Sequence, residues 1–397
     1  MPIFYSLLLF LLIQPPLWAY EIATPWRSID MHGFMSLGYL NSQHNNIYAD
    51  TEQGTFQFNE AGLNFSTELM DYLQAGIQFH TRDLGDLGNH DINVDWAFID
   101  YRYQDSLGFR GGKIKLPLGF YNTIRDYDFL RTSIFLPNSL YKESLRDILN
   151  SSWGGGIYGF TSIPTLGDID YQMYYSESDI GNDSATLDTV EDKTRIGIVD
   201  IAPTQLFTGH VQWLTPIKGL RLGLSVAHIE KITANGLLEE LNTPVSVEIH
   251  NLAMTALSLG YTHNQWIFET EFSRTNKTTN LNTGQSAQSI KNTEIGYYIG
   301  TTYHFTPGFK MAIYYDVFYA DKNDKQGTQL AAQFGEPPYK AWRKDWVISA
   351  RFDINEAWNF KLEGHFINGT AEILDGYNPQ DTQQHSFLLA LKTTINF

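Results

Sequence analysis

Apolar and polar residues alternate for about ten positions at a time, again and again along this chain, and no other feature limits its fold as strongly. In "WNFKLEGHF", Trp358, Phe360, Leu362, Gly364 and Phe366 alternate with Asn359, Lys361, Glu363 and His365. In "EIGYYIGTTYHF", Ile295, Tyr297, Ile299, Thr301, Tyr303 and Phe305 alternate with Glu294, Gly296, Tyr298, Gly300, Thr302 and His304. Successive strand side chains point to opposite faces, so each segment has one mainly apolar face and one mainly polar or glycine face. A tilted strand of about this length crosses a bilayer. Helical periodicity is almost absent, and beyond the N-terminus no apolar run approaches the roughly 20 residues a spanning helix needs.

Sixteen segments carry the pattern: 31–41, 55–67, 73–83, 92–103, 108–116, 153–162, 168–177, 204–214, 219–231, 252–262, 265–274, 293–305, 309–319, 343–353, 358–367 and 385–397. Their connections alternate between tight turns ("QDSL", "TPIKG", "TPG", "NEA") and longer polar loops (42–54, 84–91, 117–152, 178–203, 232–251, 275–292, 320–342, 368–384). That asymmetry belongs to a transmembrane antiparallel β-barrel, with short periplasmic turns and longer extracellular loops. The expected fold class is therefore all-β, a sixteen-stranded barrel. Register is constrained: sliding "WNFKLEGHF" by one residue turns Lys361 and Glu363 to lipid, at about 2–4 kcal/mol for a midplane Lys. In strands 4 and 5, Asp100 and Arg102 share the face of Trp96 and Phe98, and Arg110 that of Ile114. The expectation is that these charges lie toward lipid near the periplasmic ends, where the penalty falls to about 0–1 kcal/mol. Trp266, Tyr303, Phe305, Tyr319 and Trp346 stand at strand ends, suited to interfacial girdles.

The N-terminal "MPIFYSLLLFLLIQPPLWAYE" reads as a secretory leader, residues 1–19, with the barrel domain over 20–397. The chain has no cysteine, which excludes disulfides and thiolate-bound metals. A net charge of −17 argues against a nucleic-acid partner. Histidines are scattered without ligand spacing, and "GFRGGKIK" lacks the spacing and helix of a phosphate loop. The acidic stretches "DTVEDK" and "YADKNDK" have calcium-type side chains, but solvated loops account for them. No cofactor, metal site or catalytic constellation is expected. A hydrolase assembled from separated strands would escape this reading, and a barrel enzyme stays open as an alternative.

One loop stands out. "GKIKLPLGFYNTIRDYDFLRTSIFLPNS", Gly112 to Ser139, begins as a strand with Lys113 and Lys115 on one face and Ile114 and Leu116 on the other, then breaks at Pro117. It is the third loop on the extracellular side, partly apolar, and suited to fold inward as a constriction. Phe129, Ile134, Phe135 and Leu136 would bury against the wall while Arg125, Asp126, Asp128 and Arg131 face water. From Gly108 to Ser151 seven basic residues stand against four acidic ones, +3 in a molecule of −17. A filter with a mild preference for anions, four charges that pair with one another and pin the loop, and a transverse field all remain open. The constriction candidates are Lys113, Lys115, Arg125, Asp126, Asp128 and Arg131. Further inward-facing candidates from alternation are His80, Arg82, Arg221, Arg351, Lys361, Glu363 and Lys392, with Gln78, His210, Gln212, Glu269 and Glu271. They form no cluster of one sign.

The C-terminal "HSFLLALKTTINF" puts Phe387, Leu389, Leu391, Thr393, Ile395 and Phe397 on one face and ends on an aromatic. It resembles the terminal strand by which outer-membrane barrels are recognised by the barrel-assembly machinery. An inward third loop resembles that of general sixteen-stranded trimeric porins. "GGKIKLPLGFYNTIRDYDFLRTSIFLPNSLY", with "MHGFMSLGY", "FNEAGLNFS" and "RLGLSVAHIEK", is similar to parts of the phosphate-selective porin superfamily. The resemblance covers most of the mature chain and is strongest over 31–160. It implies a homotrimer in the outer membrane of a Gram-negative bacterium, in contact with outer-membrane lipid and passing small hydrophilic solutes. The chain departs from that superfamily's dense basic ladder, with 27 basic residues against 44 acidic ones. A porin specific for an anionic or carbohydrate solute is the alternative within channels, with Tyr298 and Tyr314 as stacking platforms.

Overall fold

The computed structural model describes residues 20–23, 27–85, 90–178, 196–238, 243–283, 287–378 and 380–397. The expected leader, 1–19, and "DTVEDK", 188–193, lie outside the described residues. Sixteen antiparallel strands follow in chain order: β1 (Ser28–Gln43), β2 (Phe58–Met70), β3 (Leu73–Leu84), β4 (Asn93–Gln104), β5 (Leu107–Lys115), β6 (Ser151–Ile163), β7 (Gly167–Ser178), β8 (Thr204–Leu214), β9 (Leu220–Leu238), β10 (Thr243–His263), β11 (Trp266–Asn282), β12 (Ala287–Thr306), β13 (Phe309–Tyr319), β14 (Trp342–Asp353), β15 (Trp358–Asn368) and β16 (His385–Asn396). β16 pairs back onto β1, with Phe387 opposite Gln43 and Asn396 opposite Phe34, and the sheet closes into a barrel. Closure pairs the backbone groups that an open edge would leave exposed to lipid. Two short strands add to the ring: Tyr20–Ala23 against the start of β1, and Ile196–Ile201 against the outer end of β9.

The faces follow the alternation. On β15, Leu362 and Phe366 are exposed outward, while Lys361, Glu363 and His365 are buried toward the lumen. Near the short turns, Trp266, Tyr303, Phe305, Phe309, Phe352 and Phe360 form a continuous chain of outer-face ring contacts, neighbouring centroids 4.5 to 6.5 Å apart. Tyr315 and Trp346 stack at 4.6 Å farther up the wall. Amphipathic rings in such positions suit the membrane interfaces.

Two expectations need correction. The stretches 232–251 and 275–292, expected as loops, are largely strand, and pairs such as Ala234 with Val247 and Val247 with Leu281 continue the ladders there. Beyond the bilayer both faces of a hairpin can meet water, so "TNKTTNLN" carries no apolar alternation to mark it. The second correction concerns β4 and β5. Ile99, Tyr101 and Tyr103 are exposed while Asp100 is buried, so Trp96, Phe98 and Asp100 face inward; Arg102, next on that face, is exposed beside the short turn. Asp100 is buried with Arg110 Nε at 2.7 Å, and that guanidinium lies 4.7 Å over Phe98 and 4.9 Å over Tyr158. The anticipated lipid penalty does not arise for Asp100 and Arg110, because these two charges pair inside the barrel.

Replacing outward Leu362 by Arg should destabilise the barrel by about 2–4 kcal/mol, and Phe352→Arg, beside a short turn, by about 0–1 kcal/mol. Reversible urea unfolding in lipid vesicles measures both, and equal costs would contradict the depth assignment.

Candidate functional site

Pro117 has no amide hydrogen to offer a ladder, and the chain leaves β5 there. The neck of the resulting segment, 116–150, is tied: Leu116 N–H donates to Asn150 O at 3.0 Å, and the Asn122 side-chain amide donates to Leu116 O and Leu149 O at 2.9 and 2.5 Å. Within it lie only short helical turns, so many peptide groups must find partners elsewhere. Inward-facing wall side chains supply them. Glu363 on β15 accepts the amides of Ile134 and Phe135 at 2.8 and 2.9 Å. Glu271 on β11 accepts the Phe120 amide at 2.9 Å and the Tyr141 and Tyr298 hydroxyls at 2.5 and 2.9 Å. Asp316 on β13 accepts the Ser139 amide at 3.1 Å, and Ser225 on β9 accepts that of Gly119 at 2.9 Å.

Wall cations bind the loop carbonyls in the same way. Lys361 Nζ donates to Asp128 O and Ser133 O at 2.7 and 3.1 Å, and Arg351 on β14 donates to Phe129 O and to Arg131 O. The segment thus lies across the lumen, touching β9, β11, β13, β14 and β15. Ile134 and Phe135 pack with Leu40, Phe58, Leu84, Ile367 and Leu388, while Leu116, Leu118, Leu136, Leu140 and Ile148 join inward aliphatics of β8–β10. Two glycines permit the approach. A Cβ on Gly296 would stand 2.3 Å from Ser139 O, and Gly119 has φ +58° with only 2.3 Å between a Cβ and the Tyr141 hydroxyl.

Buried charges concentrate where the loop meets β2, β3, β4 and β16. Glu143 bridges Arg125 at 2.8 Å and Arg82 at 2.5 Å. Asp126 pairs with Lys115 and Arg146, and Lys115 also reaches Asp95 at 2.7 Å. Asp128 lies 3.1 Å from Lys361, 3.5 Å from Arg131 and 3.6 Å from Lys392, which bonds Glu60 at 2.8 Å. Burial alone would raise the carboxyls of Asp126, Asp128 and Glu143, but adjacent cations outweigh it. Lys115 and Arg146 hold Asp126 well below the usual range, Lys361, Lys392 and Arg131 hold Asp128 low, and Arg125, Arg82 and Arg146 do the same for Glu143.

The site therefore differs from the water-facing constriction anticipated above. Arg125, Asp126 and Asp128 are 4%, 3% and 2% exposed. Such burial is tolerated because each charge has a partner. Arg131 is half-buried and touches both the cluster and a cavity below it. Lys113 stands apart: it pairs across strands with Ala97 and with Trp153, which is exposed on the outer face, so it belongs to the outer wall. Lys115, the last residue of β5, instead sends its Nζ to Asp95, which occupies a bulge in β4, and to Asn150. His80, Arg82, Arg221, Arg351, Lys361, Glu363 and Lys392 all lie on inward faces; His80 sits 6.1 Å from the Phe34 ring, and Arg221 pairs with Glu269 at 2.6 Å beneath Phe120. Tyr298 and Tyr314 are buried under the loop, their hydroxyls donating to Glu271 and Phe135 O, which removes them as stacking platforms. Glu60, Asp95 and Asp316 were not signalled as site residues, although Glu60 and Asp316 sit at inward positions of alternating strands. Asp324 of "YADKNDK" accepts amides of Gln329 and Leu330 at 3.1 and 2.8 Å and serves a short helix.

On the periplasmic side of the loop is a cavity of about 500 Å³. Its charged lining is Arg131, Arg221, Lys310 and Arg351 with Glu269, and Asp353 lies 3.0 Å from Lys310. A narrow cleft of about 20 Å³ between loop and wall is lined by Arg82, Arg125, Arg131, Arg146 and Lys392 with Glu60 and Glu143.

This architecture is that of the porin-like β-barrels of the Gram-negative outer membrane. No protein-family model matches the chain, and no curated protein does. Among solved structures it is similar to the outer membrane channel DcaP of Acinetobacter baumannii (TM-score 0.58, 10% identity, covering 96% of this chain and 100% of that one). It is also similar to the anion-selective porin from Comamonas acidovorans (TM-score 0.53, 10% identity, 94% and 100%). A third is the trimer form of OmpT, an outer membrane protein of Vibrio cholerae (TM-score 0.51, 8% identity, 94% and 99%).

Glu363→Ala should leave the amides of Ile134 and Phe135 unpaired, at about 1–3 kcal/mol for each buried group. Proteolysis of the folded barrel should then cut within 117–150, where the wild type should resist; unchanged resistance would show that the latch is dispensable. Because Asp126, Asp128 and Glu143 have lowered folded-state values, their stabilising contribution is complete above about pH 5 and is lost as the pH falls through those values. Protection of the loop should persist at pH 5 and fail only in stronger acid, and loss already near neutrality would refute the ion-pair account.

Proposed function

We propose that the chain is a porin, a passive water-filled channel for small hydrophilic solutes, with a preference for anions. The observation that carries this reading is the segment latched across the lumen, with a cavity below it and a narrow cleft beside it where cations outnumber acids. A fixed excess of one sign at a narrow place raises the local concentration of the opposite ion, even in a protein of strongly negative net charge. The similarity to an anion-selective porin supports the same direction. A homotrimer is part of the proposal, supported by the trimer form of a similar barrel. No bound cofactor enters this reading, since diffusion through the lumen needs only width and charge.

The test is single-channel recording in a planar bilayer under a potassium chloride gradient. Conductance in steps of three, with a reversal potential showing chloride more permeant than potassium, is expected. Lys310→Gln removes a cation from the cavity while leaving the loop latches described above in place, and should move the permeability ratio toward one. A cation preference in the wild type would overturn the selectivity, and a silent but folded barrel would overturn the channel.

A further inference from the structure

On the opposite, extracellular side of the loop lies a second chamber of about 250 Å³, between the loop and the upper halves of β9, β10 and β11. The lumen face of a water-filled barrel is ordinarily polar. Here Ala227, Ile229, Ile232 and Ala234 on β9 and Val247 and Met254 on β10 all turn aliphatic side chains inward and are buried. Leu140 and Ile148 of the loop face them across the chamber. An unfilled apolar void weakens a protein in proportion to its volume. Larger side chains at Ala227 and Ala234 would narrow this one, yet both positions are small.

The rim adds a second constraint. Lys142 pairs with Glu294 at 3.0 Å and Glu372 at 3.3 Å, and Lys277 pairs with Glu294 at 2.5 Å. These charges already satisfy one another, so the rim offers no unmatched charge to an ion, whose transfer to aliphatic walls is costly. The hydroxyls of Ser273 and Thr275 line the same chamber and suit a neutral polar group. A dry cavity of about 150 Å³ holds a benzene-sized molecule, so this chamber has room for about six to ten carbon atoms.

We propose that this chamber binds the apolar part of an uncharged solute, an alicyclic or short alkyl group carrying a hydroxyl or similar neutral function. The site is distinct from the basic cavity below the loop and does not rest on the channel reading, because binding is measured without a current.

The experiment is saturation-transfer NMR and calorimetry of cyclohexanol with the full-length purified barrel in amphipol. Saturable binding is expected, weakened at least tenfold in Ala227→Leu/Ala234→Leu, which narrows the chamber, and in Ile232→Asn, which makes its wall polar. Cyclohexanecarboxylate, the same ring with a charge, should bind at least tenfold more weakly than the alcohol. Strand circular dichroism and heat-modifiable electrophoretic mobility establish that each variant is folded. Absence of saturable binding, equal binding by both folded chamber variants, or equal affinity for the carboxylate would each overturn the proposal.

Discussion

Peptide groups inside a barrel but outside its ladders must be hydrogen-bonded by something, and here the wall's own acids and bases do it. Glu271, Asp316 and Glu363 accept loop amides, while Lys361 and Arg351 donate to loop carbonyls. These side chains point inward only in the observed strand register, since a slip of one residue would send each of them to the lipid. Register, loop position and the division of the lumen are therefore one linked arrangement. The polar inner face that a water-filled barrel needs is also the surface that holds its partition.

The ionic cluster on the other flank of the loop has a different physical character. Burying charges is unfavourable by itself, and a buried pair is weak evidence of net stability. Removing one partner is another matter, because the remaining charge has no solvent to return to. The shared carboxylates of Glu143, Asp126 and Asp128 thus define a geometry more than they stabilise a fold. They join the loop to β2, β3, β15 and β16 and leave cations in excess beside the narrow cleft. The net charge of the whole chain says little about the field a permeating ion meets.

The fold was legible from local pattern wherever one face met lipid. Leu362 and Lys361, or Leu389 and Lys392, declare their sides because the bilayer penalises the reverse. Legibility failed where that selection lapses. The hairpin tops of β9–β12 project into water, and Trp96 and Phe98 are apolar but turn inward beside Arg110. At the site, alternation correctly aimed Glu363, Lys361 and Lys392 into the barrel, but their partners are more than 200 residues away in sequence. Asp95 turns on a bulge, and Lys113 lies on the outer wall opposite Ile114, because alternation separates two faces of β5 without saying which of them meets the lumen.

What this sequence determined by itself was an environment for each residue: alternation and turn spacing specify a sixteen-stranded barrel whose two faces see lipid and lumen, because those are one-residue properties set by solvent. What only the tertiary structure decided was which inward residues meet. Arg125 pairs with Glu143 rather than Asp126, Tyr298 bonds Glu271 instead of presenting its ring, and an aliphatic chamber opens above a basic cavity. Those outcomes depend on where a long loop comes to rest, which is settled by the summed hydrogen bonds and contacts of residues from many strands rather than by any local segment.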